Sequence, residues 1–122
     1  MRNNLKMLSV AELVQRFTAS ALAQFEAERQ SDVGKQNKCV TQIMEIAAEL
    51  KSQPGDQRSA LLALHDHPNI QVRLMAARLT LAVAPTAARE TLQLIADSKQ
   101  YPQAMDAGMS LWALDQGIAT PS

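Results

Sequence analysis

The chain has 122 residues, of which 47% are apolar but only 3% aromatic, and its 12 basic and 12 acidic residues cancel. That length suits one domain spanning 1–122, with a core that needs no disulfide or metal, and the zero net charge excludes a general electrostatic grip on nucleic acid or anionic lipid. Cys39 is the single cysteine, MRNNLKMLSV lacks the apolar run of a signal peptide, and no stretch approaches ~18 uncharged apolar residues, so the expected compartment is the cytoplasm and no membrane partner is expected.

Six helices are predicted in chain order. The first opens at Ser9, where Ser9-Val10-Ala11-Glu12 forms a capping box. Val10, Leu13/Val14, Phe17, Ala21 and Phe25 then recur at helical spacing to about Gln30. Ser31 to Gly34 is the predicted turn. A second helix comes next over 35–52, with the stripe Val40, Ile43/Met44, Ala47 and Leu50. Gln53-Pro54-Gly55-Asp56 is the strongest break, and Asp56 is placed to cap the third helix.

That third helix covers 57–65 and carries Leu61, Leu62 and Leu64. His67-Pro68-Asn69 is a tight turn with Asn69 as the next N-cap. The fourth helix, 70–84, carries Val72, Met75/Ala76, Leu79 and Val83. Pro85 starts the fifth, an N1 placement, with Ala88, Leu92 and Ile95 on its stripe. Tyr101-Pro102 opens the sixth, which sets Met105, Met109 and Trp112 on one face and stops near Gly117. No segment alternates apolar and polar residues long enough for a strand. Short turns make consecutive helices antiparallel neighbours, which pairs them as 9–52, 56–84 and 85–117.

Residues 60–84, ALLALHDHPNIQVRLMAARLTLAVA, resemble a HEAT repeat. The positions that carry the resemblance are Leu61, Leu62, Leu64, Asp66, Pro68, Val72, Arg73, Ala76 and Ala77. Leucines on one helix meet Val72 and Ala76 on the next, and the small Ala76-Ala77 pair lets the axes approach. The resemblance implies a structural role for Asp66 and Arg73, bonding between adjacent turns. Residues 86–114 are similar but degenerate, with Asp97 for Asp66 and Ala107-Gly108 for Ala76-Ala77, as in a terminal, capping repeat. The chain also resembles a small bacterial domain family of unknown function with an armadillo/HEAT-type fold, through HPNIQVRLMAA and YPQAMDAGMSLWALDQG. The fold these resemblances imply is all-α, a right-handed α-α superhelix of about three helical hairpins. They imply no activity.

The chemistry-bearing residues each have a plain structural reading. His65-Asp66-His67 has metal-ligand residue types, but histidines two apart on a helix point to different sides and further ligands are not evident. Cys39 has no activating histidine nearby in sequence, and Ser9, Ser59 and Ser110 lack a nucleophile-elbow context. No phosphate-binding or zinc-protease motif occurs, so neither an enzyme nor a cofactor is expected. Met44, Met75, Met105 and Met109 read as core filling, with an adaptable contact surface as the alternative. Trp112 reads as core or as an anchor for a partner. Arg58, Arg73, Arg78 and Arg89 make the region 58–89 locally basic, which is the alternative reading of nucleic-acid backbone binding, disfavoured by neutral charge and few aromatics. The leading expectation is a non-enzymatic protein-interaction module with an unidentified protein partner. The expected surface comprises Arg58, Arg73, Arg78, Arg89 and Trp112, and a homodimer through the end helices is a further option.

Overall fold

The computed structural model describes residues 4–122, and the described residues form helices and no strand. After a short 3₁₀ turn at Leu5–Met7 come α1 (Val10–Arg29), α2 (Val33–Ser52), a 3₁₀ helix (Gln57–Asp66), α3 (Ile70–Leu79), α4 (Pro85–Asp97) and α5 (Gln103–Asp115). The six predicted helices are all present, the third as a 3₁₀ helix. The chain divides into two compact units, one ending at Ala60 and one beginning at Leu61. That boundary falls inside the hairpin expected over 56–84.

The first unit is a helical hairpin, α1 packed on α2. The capping box forms as read: the Ser9 amide donates to Glu12 Oε1 at 2.9 Å, and the Glu12 amide donates to Ser9 Oγ at 3.1 Å. Leu13, Phe17, Ala21 and Ala27 are buried on α1. On α2 the buried stripe is Cys39, Ile43, Ile46, Ala47 and Leu50, so the expectation for Val40 and Met44 is corrected. Both are exposed. Two stripes with helical period lie about 100° apart on this helix, and the buried one includes Cys39. Ser20 Oγ donates across the hairpin to Gln42 Oε1 at 3.3 Å.

The connection between these helices is tighter than predicted. The Asp32 amide bonds to Ala27 O and the Ser31 amide to Glu28 O, the double closure of a Schellman motif. Asp32 then caps α2 by accepting from the Lys35 amide at 3.0 Å, so Gly34 lies inside the helix rather than ending the turn. Ser31 takes the left-handed position, φ 55°. An L-residue there pays about 1–2 kcal/mol, and glycine would lose about 0.4–1 kcal/mol of that gain through the freer unfolded chain. Ser31→Gly is therefore expected to stabilise by about 0.5–1 kcal/mol in chemical denaturation; a loss of stability would contradict the assignment.

In the second unit α3 packs against α4 and α5, and α4 against α5. Burial runs almost all round α3: Ile70, Gln71, Val72, Leu74, Met75, Ala76 and Ala77. Asn69 caps it as predicted, accepting from the Gln71 and Val72 amides. The helix stops at Leu79, short of the predicted Ala84. The Thr80 hydroxyl donates to Ala76 O at 2.8 Å, while the Val83 and Ala84 amides turn back to Thr80 O. Ala84, preceding Pro85, is held out of the helical region at φ −148°, ψ 67°. Pro85 then opens α4, which buries Ala88, Leu92 and Ile95 as predicted. The α5 helix ends at Gly117 in a second Schellman motif, with φ 73° at the glycine.

Candidate functional site

The residues singled out as an interaction surface are mostly engaged internally. Arg58 grips Asp56 with two bonds, Nε to Oδ1 at 2.9 Å and Nη2 to Oδ2 at 2.7 Å. Arg78 Nε donates to Ser110 Oγ at 2.9 Å and its Nη2 to Asp106 O at 3.4 Å, so it ties α3 to α5. Arg89 on α4 pairs with Asp115 on α5. Arg73 has a buried Nε with no hydrogen-bond partner. Asp66 is exposed and forms no ion pair with Arg73; among the described residues the ion pairs are Arg58–Asp56 and Arg89–Asp115. Among the described residues no bond joins Asp66 to Arg73, so the bracing role expected for the pair is not seen there. The remaining signature positions divide: Val72 and Ala76 are fully buried and Pro68 lies in the exposed turn. Three arginines of the basic region thus spend charge or donors on neighbours within the chain.

His65 and His67 do not converge. The His67 Nδ1 accepts from the Asn69 amide at 3.0 Å and stays in its own turn. His65 Nε2 lies 2.9 Å from Thr80 Oγ1 and its Nδ1 lies 3.1 Å from Thr91 Oγ1. The Thr80 hydroxyl proton is already committed to Ala76 O, so Thr80 accepts the His65 Nε2–H. Nδ1 is then bare and accepts the Thr91 O–H. This pattern fits the neutral ring and links the 3₁₀ helix, the end of α3 and α4. No group of three or more His, Cys, Asp or Glu side chains among the described residues could hold a metal ion. Thr80 is fully buried and its hydroxyl occupied, so the His–Thr pair is a brace rather than an activated nucleophile. Cys39 is a free thiol buried in the first unit.

Burial holds the His65 pKa below its ordinary value, against smaller opposing effects from Ala76 and Asp66. The folded chain therefore takes up this proton less readily than the unfolded chain. Stability is full above the unfolded value of ~6.5 and falls as pH drops through it, levelling off below the folded value. Denaturation between about pH 7.5 and about pH 5 is expected to show that decline, and His65→Gln is expected to flatten it. An equal slope in both proteins would remove His65 as its source.

The outward-facing surface of α5 is apolar. Met105, Met109 and Trp112 lie at i, i+4 and i+7 on this helix and are 59%, 62% and 57% exposed. The reading of Met44, Met105, Met109 and Trp112 as core is corrected; of the four striped methionines only Met75 is buried. The α5 helix is apolar on two sides, and it turns its small residues Ala104 and Ala107 inward. Small residues let the axis of α5 approach its neighbours, which leaves the large side chains outside. Gly108, expected to pack like Ala77, has open space where a Cβ would stand. Beside Met109 a groove of about 360 Å³ runs between Arg78, Leu81, Ser110, Leu114 and Thr120. In the first unit a larger open groove, about 1190 Å³, has a mixed lining that includes Leu5, Lys6, Lys38, Glu45 and Glu49.

Residues 11–115 match the family model described as "Domain of unknown function (DUF2019)". A search of curated proteins found no match. The crystal structure of the protein RPA1889 from Rhodopseudomonas palustris CGA009 is similar over 99% of this chain and 100% of that one, with 45% sequence identity and a TM-score of 0.96.

Proposed function

The chain belongs to the DUF2019 family, and for this member we propose the role of a non-enzymatic interaction module that offers the outer face of α5 to another protein. In this reading its hairpins are of the HEAT/armadillo kind and it works in the cytoplasm. The observation that carries the proposal is the exposed Met105-Met109-Trp112 stripe. Scattered apolar residues on a surface are ordinary, but a stripe aligned along one helix offers a continuous contact face. Methionine adapts to the shape of a partner, and tryptophan is enriched among residues that dominate interface energies. The 360 Å³ groove beside Met109 extends the same region. No helix of the described residues is long and apolar enough to cross a membrane.

A photocrosslinking side chain at position 109, tested in the native cell, separates this face from the rest of the chain. Adducts are expected from position 109 and not from position 90, where exposed Glu90 sits on α4. Their absence at position 109 would overturn the proposal.

A further inference from the structure

We propose that the groove beside Met109 binds a small monocarboxylate with an unbranched apolar body, a medium-chain fatty acid in chemical class, held at its charged end by Arg78. The site lies wholly within the second unit and does not depend on what meets the outer stripe of α5.

The cation comes first. Arg78 turns two of its donors on α5, Nε to Ser110 Oγ and Nη2 to the Asp106 carbonyl. It has no acid partner. Among the described residues the ion pairs belong to Arg58 and Arg89, and Asp106 offers Arg78 its carbonyl oxygen rather than its carboxylate. Arg78 Nη1 bonds to no described residue and remains open to solvent. A guanidinium held along one edge presents its remaining donors as a fixed fork, and such a fork matches the two oxygens of a carboxylate. Ser110 accepts from Arg78, which leaves its own proton without an acceptor among the described residues, and Thr120 brings a second hydroxyl to the groove. Both hydroxyls can donate to an anionic oxygen. The carbonyls at the end of α5 do not compete for the guanidinium, because those of Trp112, Ala113 and Leu114 already accept from the amides of residues 116–119.

The walls decide the body of the ligand. Leu81, Met109, Leu114 and Pro121 line the groove with apolar surface. The Ile118 and Ala119 amides both bond to Ala113 O, which fixes the tail as one wall. Groups able to pair with the amides of a bound peptide are scarce, since Ala113 O is spent twice and Pro121 has no N–H. Methylenes therefore suit the groove better than a peptide C-terminus. At about 360 Å³ it stands at the small end of ligand sites, which limits the body to a short or medium chain. One cation and a partly covered chain set a weak affinity, with a dissociation constant on the order of 0.1–1 mM for octanoate.

Amide chemical shifts of the purified full chain, titrated with sodium octanoate, read the site directly. Saturable shifts are expected at Arg78, Leu81, Ser110 and Thr120, and none on α1 or α2. Butanoate should bind at least about tenfold more weakly, because each buried methylene carries about fourfold in affinity. Octanol and octylammonium share the apolar body but lack the anion, and they should not saturate the same amides below about 10 mM. Arg78→Gln should abolish octanoate binding while keeping its helical circular dichroism. Arg78→Lys keeps the charge but loses the fork, and should weaken binding by about tenfold or more. If Arg78→Gln fails to fold, the comparison of octanoate, octanol and octylammonium on the unaltered chain decides alone. No saturable shift with octanoate up to about 10 mM, equal binding of octanol or octylammonium, or unchanged affinity in a folded Arg78→Gln chain would overturn the inference. So would tighter binding of a short peptide ending in a free leucine, which assigns the carboxylate to a protein. Crosslinking from position 109 tests the α5 stripe by itself, so either result can fail without the other.

Discussion

Phe17→Ala is expected to lower stability by about 3–5 kcal/mol, the usual cost of emptying a large aromatic site in a core that only partly collapses. Phe17 is the largest fully buried side chain among the described residues. It sits on α1 among Leu13 and Ala21, in a hairpin whose other fully buried large side chains are Ile43 and Leu50. A unit with so few large core residues has little to redistribute into the void. Against a total stability of about 5–15 kcal/mol for a typical domain, the loss is severe. Monitored by far-UV circular dichroism, the melting midpoint should drop by roughly 10–20 °C. Phe17→Leu retains most of the volume and should cost less than about 1.5 kcal/mol. Trp112→Ala removes a larger ring but an exposed one, and at low protein concentration it should change stability by no more than about 0.5 kcal/mol. A small effect at Phe17, or a large one at Trp112, would reverse the assignment of inside and outside.

The second large effect belongs to a polar pair. Gln103 Nε2 donates to Gln71 Oε1 at 3.0 Å, with both residues buried. Gln103→Leu leaves the Gln71 carbonyl without its donor, and Gln71→Leu strands the Gln103 amide. Each single change is expected to cost about 1–3 kcal/mol, the desolvation of an unmet partner. The double change removes both groups and should recover most of that loss. Denaturation of the four proteins gives the coupling directly. Additive losses would show that the two amides do not depend on one another.

Much of the fold was legible because its signals are local. Ser9 and Glu12, Asn69, Pro85 and Gly117 act through backbone groups within a few residues of themselves, and all four boundaries stand where the chain chemistry placed them. Ser31 escaped because serine carries no preference for the left-handed position that it occupies. The premature end of α3 could have been seen in Thr80, a residue able to bond back to Ala76 and Ala77, with Ala84-Pro85 close behind it. The Gln71–Gln103 and His65–Thr91 contacts join residues 32 and 26 positions apart, and no local pattern announces either pair.

The apolar face of a helix is where sequence and tertiary structure part. Periodicity alone established that α2 and α5 carry stripes. It could not choose between Val40-Met44 and Cys39-Ile43, or between Met105-Met109-Trp112 and Ala104-Ala107. Both members of each pair have the helical repeat, and hydrophobicity favoured the larger residues. Packing chose otherwise on α5, because Ala104 and Ala107 permit close approach to neighbours that a tryptophan would hold apart. The sequence by itself determined that this chain is helical, where most of its helices begin, and that its core is aliphatic. Only the tertiary structure decided which apolar residues remain outside, since that depends on the neighbour each helix meets and not on the helix alone.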